Sequence, residues 1–232
     1  MNLEIHHYSK NLEGKDYVVG DIHGSFRQLM QILLKMDFDF KKDRLFSVGD
    51  LCDRGPHSEE VLKWMEYPWF IPVIGNHETL VMGYAQKLVS FDVLIKVGAQ
   101  WWFNVEENKQ AQIINYFESL PIGIELETSY GKIGIVHATC PTASWNTFKE
   151  GLYSEEGYKF ANKAIWTYAR EENKRKIEDI DYVIVGHTTQ NEYLQWENVF
   201  LIDTGATFHT GYFTLLDLET LKPVDYHSMN LV

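Results

Sequence analysis

The stretch "LFSVGDLCDRG", Leu45 to Gly55, joins an apolar run to a charged loop through a single glycine. The apolar half has the length and composition of a buried strand. The loop then delivers Asp50, Asp53 and Arg54 within five residues. The same grammar recurs along the chain. "DYVVG" gives way to Asp21 and His23, and "FIPVIG" to Asn76, His77 and Glu78. "KIGIV" ends at His137, "YVIVG" at His187, and "VFLIDTG" is a further run of the kind.

Between the early strands lie helical patterns. "SFRQLMQILLKM" places Phe26, Leu29, Met30 and Leu33 on one face, and Ser25 with Gln28 has the spacing of a capping box. "SEEVLKWMEY" follows the second strand and "TLVMGYAQKL" the third. Strand, loop and helix three times over predict an α/β protein. The second half differs. "QAQIINYFESLP" reads as a helix stopped by Pro121, and "IGIELETSYGKIGIVH" as a hairpin turning near Tyr130 and Gly131. A helix is expected over "SEEGYKFANKAIWTYAREENKRK". The closing "VFLIDTG" and "YFTLLDLE" are expected to pair antiparallel. The sheet structure should therefore be mixed. No linker-like stretch divides the chain, so residues 1–232 are expected to form one domain.

Composition narrows the function classes. The chain of 232 residues is 45% hydrophobic and 23% charged, ordinary for a soluble globular protein. Its net charge of −12 argues against broad binding to nucleic acid or anionic membranes, which need basic surface. No run approaches the roughly 18 apolar residues of a membrane span. "MNLEIHHYSK" lacks the apolar core of a secretion signal. Two cysteines, Cys52 and Cys140, are too few for a disulfide framework. A cytoplasmic, reduced protein is the expectation, with a monomer favoured. Both thiols are expected to be small buried packing residues.

Five strand ends that finish in metal-capable side chains form a pattern that no one of them carries alone. In α/β sheets, sites assemble outside the carboxyl ends of strands. Asp21, His23, Asp50, Asn76, His137 and His187 together offer six ligands, enough for two metals. Asp50, central in the order, is the natural bridge. Oxygen and imidazole donors without thiolate suit Mn²⁺, Fe or Zn²⁺. Two such ions make a positive site for an anion and lower the pKa of a shared water, which can then attack as hydroxide. That chemistry fits phosphoester hydrolysis. His77 is the candidate general acid for the leaving alkoxide, with Asp53 to fix its tautomer and raise its pKa. Arg54 offers a planar fork to phosphate oxygens. Trp101 and Trp102 are read as packing residues.

At these residues the sequence resembles a known family. "GDIHG", "GDLCDRG" and "GNHE", with the later "VHA", "VGHT" and "IDTGA", are similar to the signature of the phosphoprotein phosphatase family of metallophosphoesterases. The resemblance runs from about Tyr17 to Leu218 and is strongest to the compact bacterial and bacteriophage-lambda type. It implies a calcineurin-like β-sandwich flanked by helices and a dinuclear centre, with Mn²⁺ foremost and Fe, Zn²⁺ or Mg²⁺ as alternatives. Asp21, His23 and Asp50 would hold one ion. Asp50, Asn76, His137 and His187 would hold the other. One departure stands out. The compact group carries a second phosphate-binding arginine in Trp-x-Arg, where this chain has Trp166, Thr167 and Tyr168. Arg170, two residues on, is the candidate substitute.

The resemblance implies hydrolysis of phosphoserine and phosphothreonine in proteins or peptides, with phosphotyrosine and phosphohistidine as further substrates. A diadenosine-polyphosphate hydrolase shares the scaffold, but those relatives tend to carry "GNHD" and to lack the second Asp of the "GDxxDRG" loop. A non-catalytic binding scaffold should have lost ligands or the acid, and none is missing here.

Overall fold

The computed structural model describes residues 1–170, 174–226 and 228. The chain opens with β1 (Ile5–Tyr8), whose partner comes much later. It then builds the expected alternation. β2 (Asp16–Val19), β3 (Arg44–Ser47) and β4 (Phe70–Pro72) run parallel. They are followed in turn by α1 (Phe26–Lys35), α2 (Val61–Trp64) and α3 (Asn76–Ala85). Two helices come next, α4 (Phe91–Val97) and α5 (Glu107–Ser119). Pro121 stops α5 as expected, because the residue before a proline is pushed out of the helical region. Leu120 is indeed extended.

The hairpin forms where the sequence predicts it. β5 (Gly123–Thr128) and β6 (Gly131–Val136) pair antiparallel, and Gly131 takes the left-handed backbone that closes the turn. α6 (Trp145–Leu152) and α7 (Gly157–Trp166) follow, then β7 (Tyr182–Val185), β8 (Leu194–Trp196) and β9 (Val199–Leu201). β10 (Leu215–Asp217) and β11 (Lys222–Pro223) close the chain. One sheet has the order β1-β5-β6-β7-β9-β8 and the other β11-β10-β2-β3-β4. Both are mixed.

Alternation along the strands explains why successive residues in the middle of β2 and β3 are apolar. Val18 and Phe46 point into a core shared with Ile124, Leu126, Ile133, Ile135 and Ile184 of the facing sheet. Their neighbours Tyr17, Val19 and Leu45 point outward, into a second core with Phe26, Leu29 and Leu33 of α1. A strand covered on both faces needs apolar residues at both phases. Two sheets packed on each other and helices on the outside give the expected sandwich.

Three expectations are corrected. Ser25 precedes α1, but its backbone is not extended and its side chain caps nothing. The helix expected over 154–176 stops at Trp166. Thr167 is extended, and the Ala169 N–H donates to Thr188 Oγ1 at 2.8 Å, drawing the chain across to the loop after β7. Residues 171–173 of that expected helix lie outside the described residues. The closing runs do not pair with each other. β9 lies beside β7 and β8, while β10 lies beside β2 in the opposite sheet. Among the described residues, no helix is long and apolar enough to cross a membrane.

Candidate metal centre

The parallel strands aim their carboxyl ends at one place. β2, β3 and β4 lead to Asp21, Asp50 and Asn76 from one sheet. β6 and β7 lead to His137 and His187 from the other. The turns that do this are tight. His23, Asp50, Asp53, Arg54 and His187 all adopt positive φ without being glycine, with values from 45° to 72°. Such backbone costs on the order of 1–3 kcal/mol per residue and persists where surrounding structure imposes it.

Four acceptor atoms converge on one side of Asp50. Asn76 Oδ1 lies 2.8 Å from His137 Nε2 and 3.0 Å from His187 Nδ1. The two imidazole nitrogens are 3.2 Å apart, and His137 Nε2 is 3.4 Å from Asp50 Oδ1. The His137 Nδ1–H donates to the Val48 carbonyl at 2.8 Å, so a neutral ring leaves Nε2 as a bare lone pair. Burial keeps that ring neutral by pushing its pKa down. Burial, and then the nearby His137, lower His187 to about 4. Its Nε2 is buried and has no hydrogen-bond partner among the described residues. Lone pairs that face one another repel unless a cation lies between them. Bonds of about 2.1 Å to one ion put neighbouring ligand atoms about 3.0–3.4 Å apart. The donor set therefore fits a divalent metal.

The other side of Asp50 is looser. Asp50 Oδ2 lies 3.6 Å from His23 Nε2 and 3.9 Å from His77 Nε2, and Asp21 Oδ2 is 4.0 Å from His23 Nε2. His23, Asp50 and His77 form one compact group of potential ligands, and Asp50, His137 and His187 form another. Asp50 thus presents one oxygen to each group. The His23 Nδ1–H donates to the Cys52 carbonyl at 2.8 Å, and burial lowers His23 to about 3, so its Nε2 also stands ready as a lone pair. Asp21 is pushed well above the usual carboxylate range by burial, then by the charges of Asp203 and Asp50. Three buried carboxylates in one place are costly without a positive charge.

His77 occupies a different niche. Its Nδ1 lies 2.7 Å from Asp53 Oδ2, and Asp53 is fully buried. Burial alone would lower the His77 pKa. The charge of Asp50 and the bond and charge of Asp53 outweigh it, and the net shift is upward. Arg54 reaches over both rings, with Nη1 2.7 Å from His23 Nε2 and Nη2 3.0 Å from His77 Nε2. The guanidinium therefore lies at the mouth of the site. Arg170 is exposed in the segment after α7, one residue beyond the Ala169 amide anchored to Thr188. From this segment Tyr168 reaches His187, its ring centroid 4.6 Å from the imidazole at an angle of 35°.

Two further residues were not assigned from sequence. Glu78 is fully buried and its carboxylate accepts the N–H groups of Asp50 (3.0 Å), Leu51 (2.8 Å), Cys52 (3.3 Å) and Gly75 (2.9 Å). It ties the loop after β3 to the start of α3. Its place in the first turn of a helix, three residues after a glycine, is the signal that could have found it. The Trp101 indole N–H donates to Asp53 Oδ1 at 2.7 Å. No sequence pattern marks that bond. Cys52 lies against Glu78, and burial with the charges of Asp53 and Glu78 pushes its thiol pKa well up, which disfavours the reactive thiolate.

Comparison with known proteins adds four findings. The sequence profile of a family described as "Calcineurin-like phosphoesterase" matches residues 17–191. Serine/threonine-protein phosphatase 2 of Escherichia coli (strain K12) is 32% identical over 212 residues, 88% of this chain and 91% of that protein. A symmetrical bis(5'-nucleosyl)-tetraphosphatase of Coxiella burnetii (strain Dugway 5J108-111) is also 32% identical, over 144 residues, but this covers 60% of this chain and 46% of that protein. The cold-active protein-tyrosine phosphatase of a Shewanella species superimposes with a TM-score of 0.64 at 18% identity, covering 96% of this chain and 80% of that one. That likeness concerns the fold alone.

Proposed function

This chain belongs to the calcineurin-like phosphoesterase family, and on that premise we propose that it is a metal-dependent phosphoprotein phosphatase. Its substrates are phosphoserine and phosphothreonine monoesters in cytoplasmic proteins or peptides. The whole chain acts as one catalytic domain. The observation that carries this reading is the buried His77–Asp53 pair, set beside a ligand cluster and under an arginine. A phosphomonoester needs those three things: a cation site for its oxygens, a proton for its alkoxide and a fork for its charge.

Asp21, His23 and Asp50 would hold one divalent ion, and Asp50, Asn76, His137 and His187 the other. Mn²⁺ is the proposed metal in both. When bound, the pair supplies charge that clamps the phosphoryl oxygens and lowers the pKa of the attacking water. The chain's own residues do the rest. Arg54 turns its fork from the two imidazoles to the phosphate, where a bidentate contact is stronger. That frees His77 Nε2 to carry the proton it delivers to the leaving oxygen. Asp53 holds Nδ1–H throughout, so the ring cannot swap tautomers. Arg170 is proposed as a second phosphate contact, because its segment is anchored at Thr188, next to His187.

The match over 88% of this chain to a relative named as a serine/threonine phosphatase supports the protein substrate. The relative named as a dinucleotide tetraphosphatase supports the second reading, over a shorter stretch. The test compares a phosphoserine peptide with diadenosine tetraphosphate, in Mn²⁺, using wild type and His77→Asn. The proposal expects preference for the peptide and a loss of turnover of about 10²–10⁴-fold in the variant, the usual span for a general acid. Preference for the dinucleotide would replace the substrate class. Undiminished turnover in the variant would remove His77 from the acid role.

A further inference from the structure

We propose that Trp101 is a positioning residue for the proton-donating pair, holding Asp53, and through it His77, in the orientation that protonates the leaving group. The inference rests on the acid role proposed for His77. Its basis is how the Asp53 carboxylate is used. Oδ2 accepts from the His77 Nδ1–H at 2.7 Å and Oδ1 accepts from the Trp101 Nε1–H at 2.7 Å. A carboxylate held at one oxygen still rotates about its last torsion, which is broad. A second donor on the other oxygen fixes the plane. The indole can only donate, so it offers Asp53 no alternative but to accept. That leaves Oδ2 turned to His77, where the carboxylate accepts the Nδ1–H.

The rest of the segment is built to hold this contact. Trp101 lies in a 3₁₀ turn, Gln100–Asn104, directly after Gly98 and the buried Ala99. Its ring packs edge-on against Trp102 at 5.6 Å and 82°. Gly98 has φ 91°, and its carbonyl accepts the Arg54 N–H at 3.0 Å. A Cβ at Gly98 would lie 2.8 Å from the Arg54 nitrogen. The segment after α4 therefore grips the charged loop twice, at Arg54 through Gly98 and at Asp53 through Trp101. From the other side, the Asp53 N–H donates to Ser58 Oγ at 2.9 Å. A residue that served only to fill space would not need its one polar atom aimed at the carboxylate.

The test separates the indole N–H from the indole volume. Trp101→Phe keeps an aromatic ring and removes the donor. In Mn²⁺, its kcat on a phosphoserine peptide should fall about tenfold with KM unchanged, a part of the general-acid contribution. Its kcat on p-nitrophenyl phosphate should stay within about threefold of wild type, because that leaving group needs little protonation. An equal loss on both substrates, or no loss on either, overturns the proposal. His77→Asn is run alongside. If it shows no leaving-group dependence, the acid reading has failed, and the Trp101 proposal with it. If it does and Trp101→Phe does not, only the Trp101 proposal has failed. A wild-type measurement covers the case in which the variant does not fold. The Trp101 indole N–H should be protected from hydrogen exchange and shifted to low field, and exchange at the rate of a free indole would overturn the contact.

Discussion

Replacing His187 by Ala tests the metal centre through stability rather than turnover. His187 contributes Nδ1 to the four-atom cluster, 3.0 Å from Asn76 Oδ1 and 3.2 Å from His137 Nε2. Its Nε2 has no hydrogen-bond partner among the described residues. In chelator the substitution should cost little. It gives up the ring contact with Tyr168, about 1 kcal/mol, but it also removes a crowded lone pair. With metal the balance reverses. A ligand present at 100 times its Kd stabilises the fold by about 2.7 kcal/mol. For a chain of 232 residues each kcal/mol moves Tm by about 2–4 °C. Wild type should therefore rise by roughly 5–11 °C on adding Mn²⁺. If the missing ligand weakens binding about 100-fold, the same Mn²⁺ concentration equals Kd and the gain falls to about 0.4 kcal/mol, or roughly 1–2 °C. Thermal melts with EDTA and along a Mn²⁺ titration read both numbers. A variant that keeps the full metal-induced rise would refute the assignment of His187. A wild type with no rise would refute the cation site inferred from the four converging acceptors.

Gly75→Ala should disrupt the site by geometry alone. Its Cβ would collide with the Asp50 backbone nitrogen and Oδ1, so the loops after β3 and β4 must part. Overpacking of this kind costs about 3 kcal/mol, a fall in Tm of roughly 6–12 °C, and the Mn²⁺-induced rise should vanish. Glu125→Gln probes a place remote from the chemistry. Glu125 is buried and accepts from Lys149 Nζ (2.7 Å), Lys132 Nζ (3.1 Å) and Trp145 Nε1 (2.9 Å). Burial alone would raise its pKa, but these bonds outweigh it and bring the pKa from 4.5 down to about 2. A depressed carboxylate stabilises the fold above its unfolded pKa and loses that contribution as pH falls through the folded one. The variant should be less stable by about 2 kcal/mol at neutral pH, and the gap should close between about pH 4.5 and pH 2. Urea melts across that range would show a constant gap if the bonds contribute nothing.

The sequence made some of this legible and hid the rest for a physical reason. Asp21, Asp50, Asn76, His137 and His187 were readable because each ends its own strand. The pattern of an apolar run that ends in a polar side chain is local, and parallel strands bring their ends together without further instruction. What was hidden depends on partners far along the chain. The helix through Trp166 is continued by its own sequence but ended by a threonine in another loop, Thr188, which takes the Ala169 amide. β10 has the pattern of any buried strand, and only packing sends it to β2 rather than β9. Trp101 is the sharpest case. An aromatic pair after a short helix reads as core, and Trp102 is core, with 3% of its surface exposed. One residue earlier, the same side chain turns its N–H to a carboxylate 48 positions away. Hydrophobic pattern reports which residues are buried, and a tryptophan satisfies it equally well either way. Its donor becomes visible only once the fold has put Asp53 beside it with one oxygen already given to His77. Polar side chains at strand ends announce themselves in sequence, whereas a residue that orients them does so only in three dimensions.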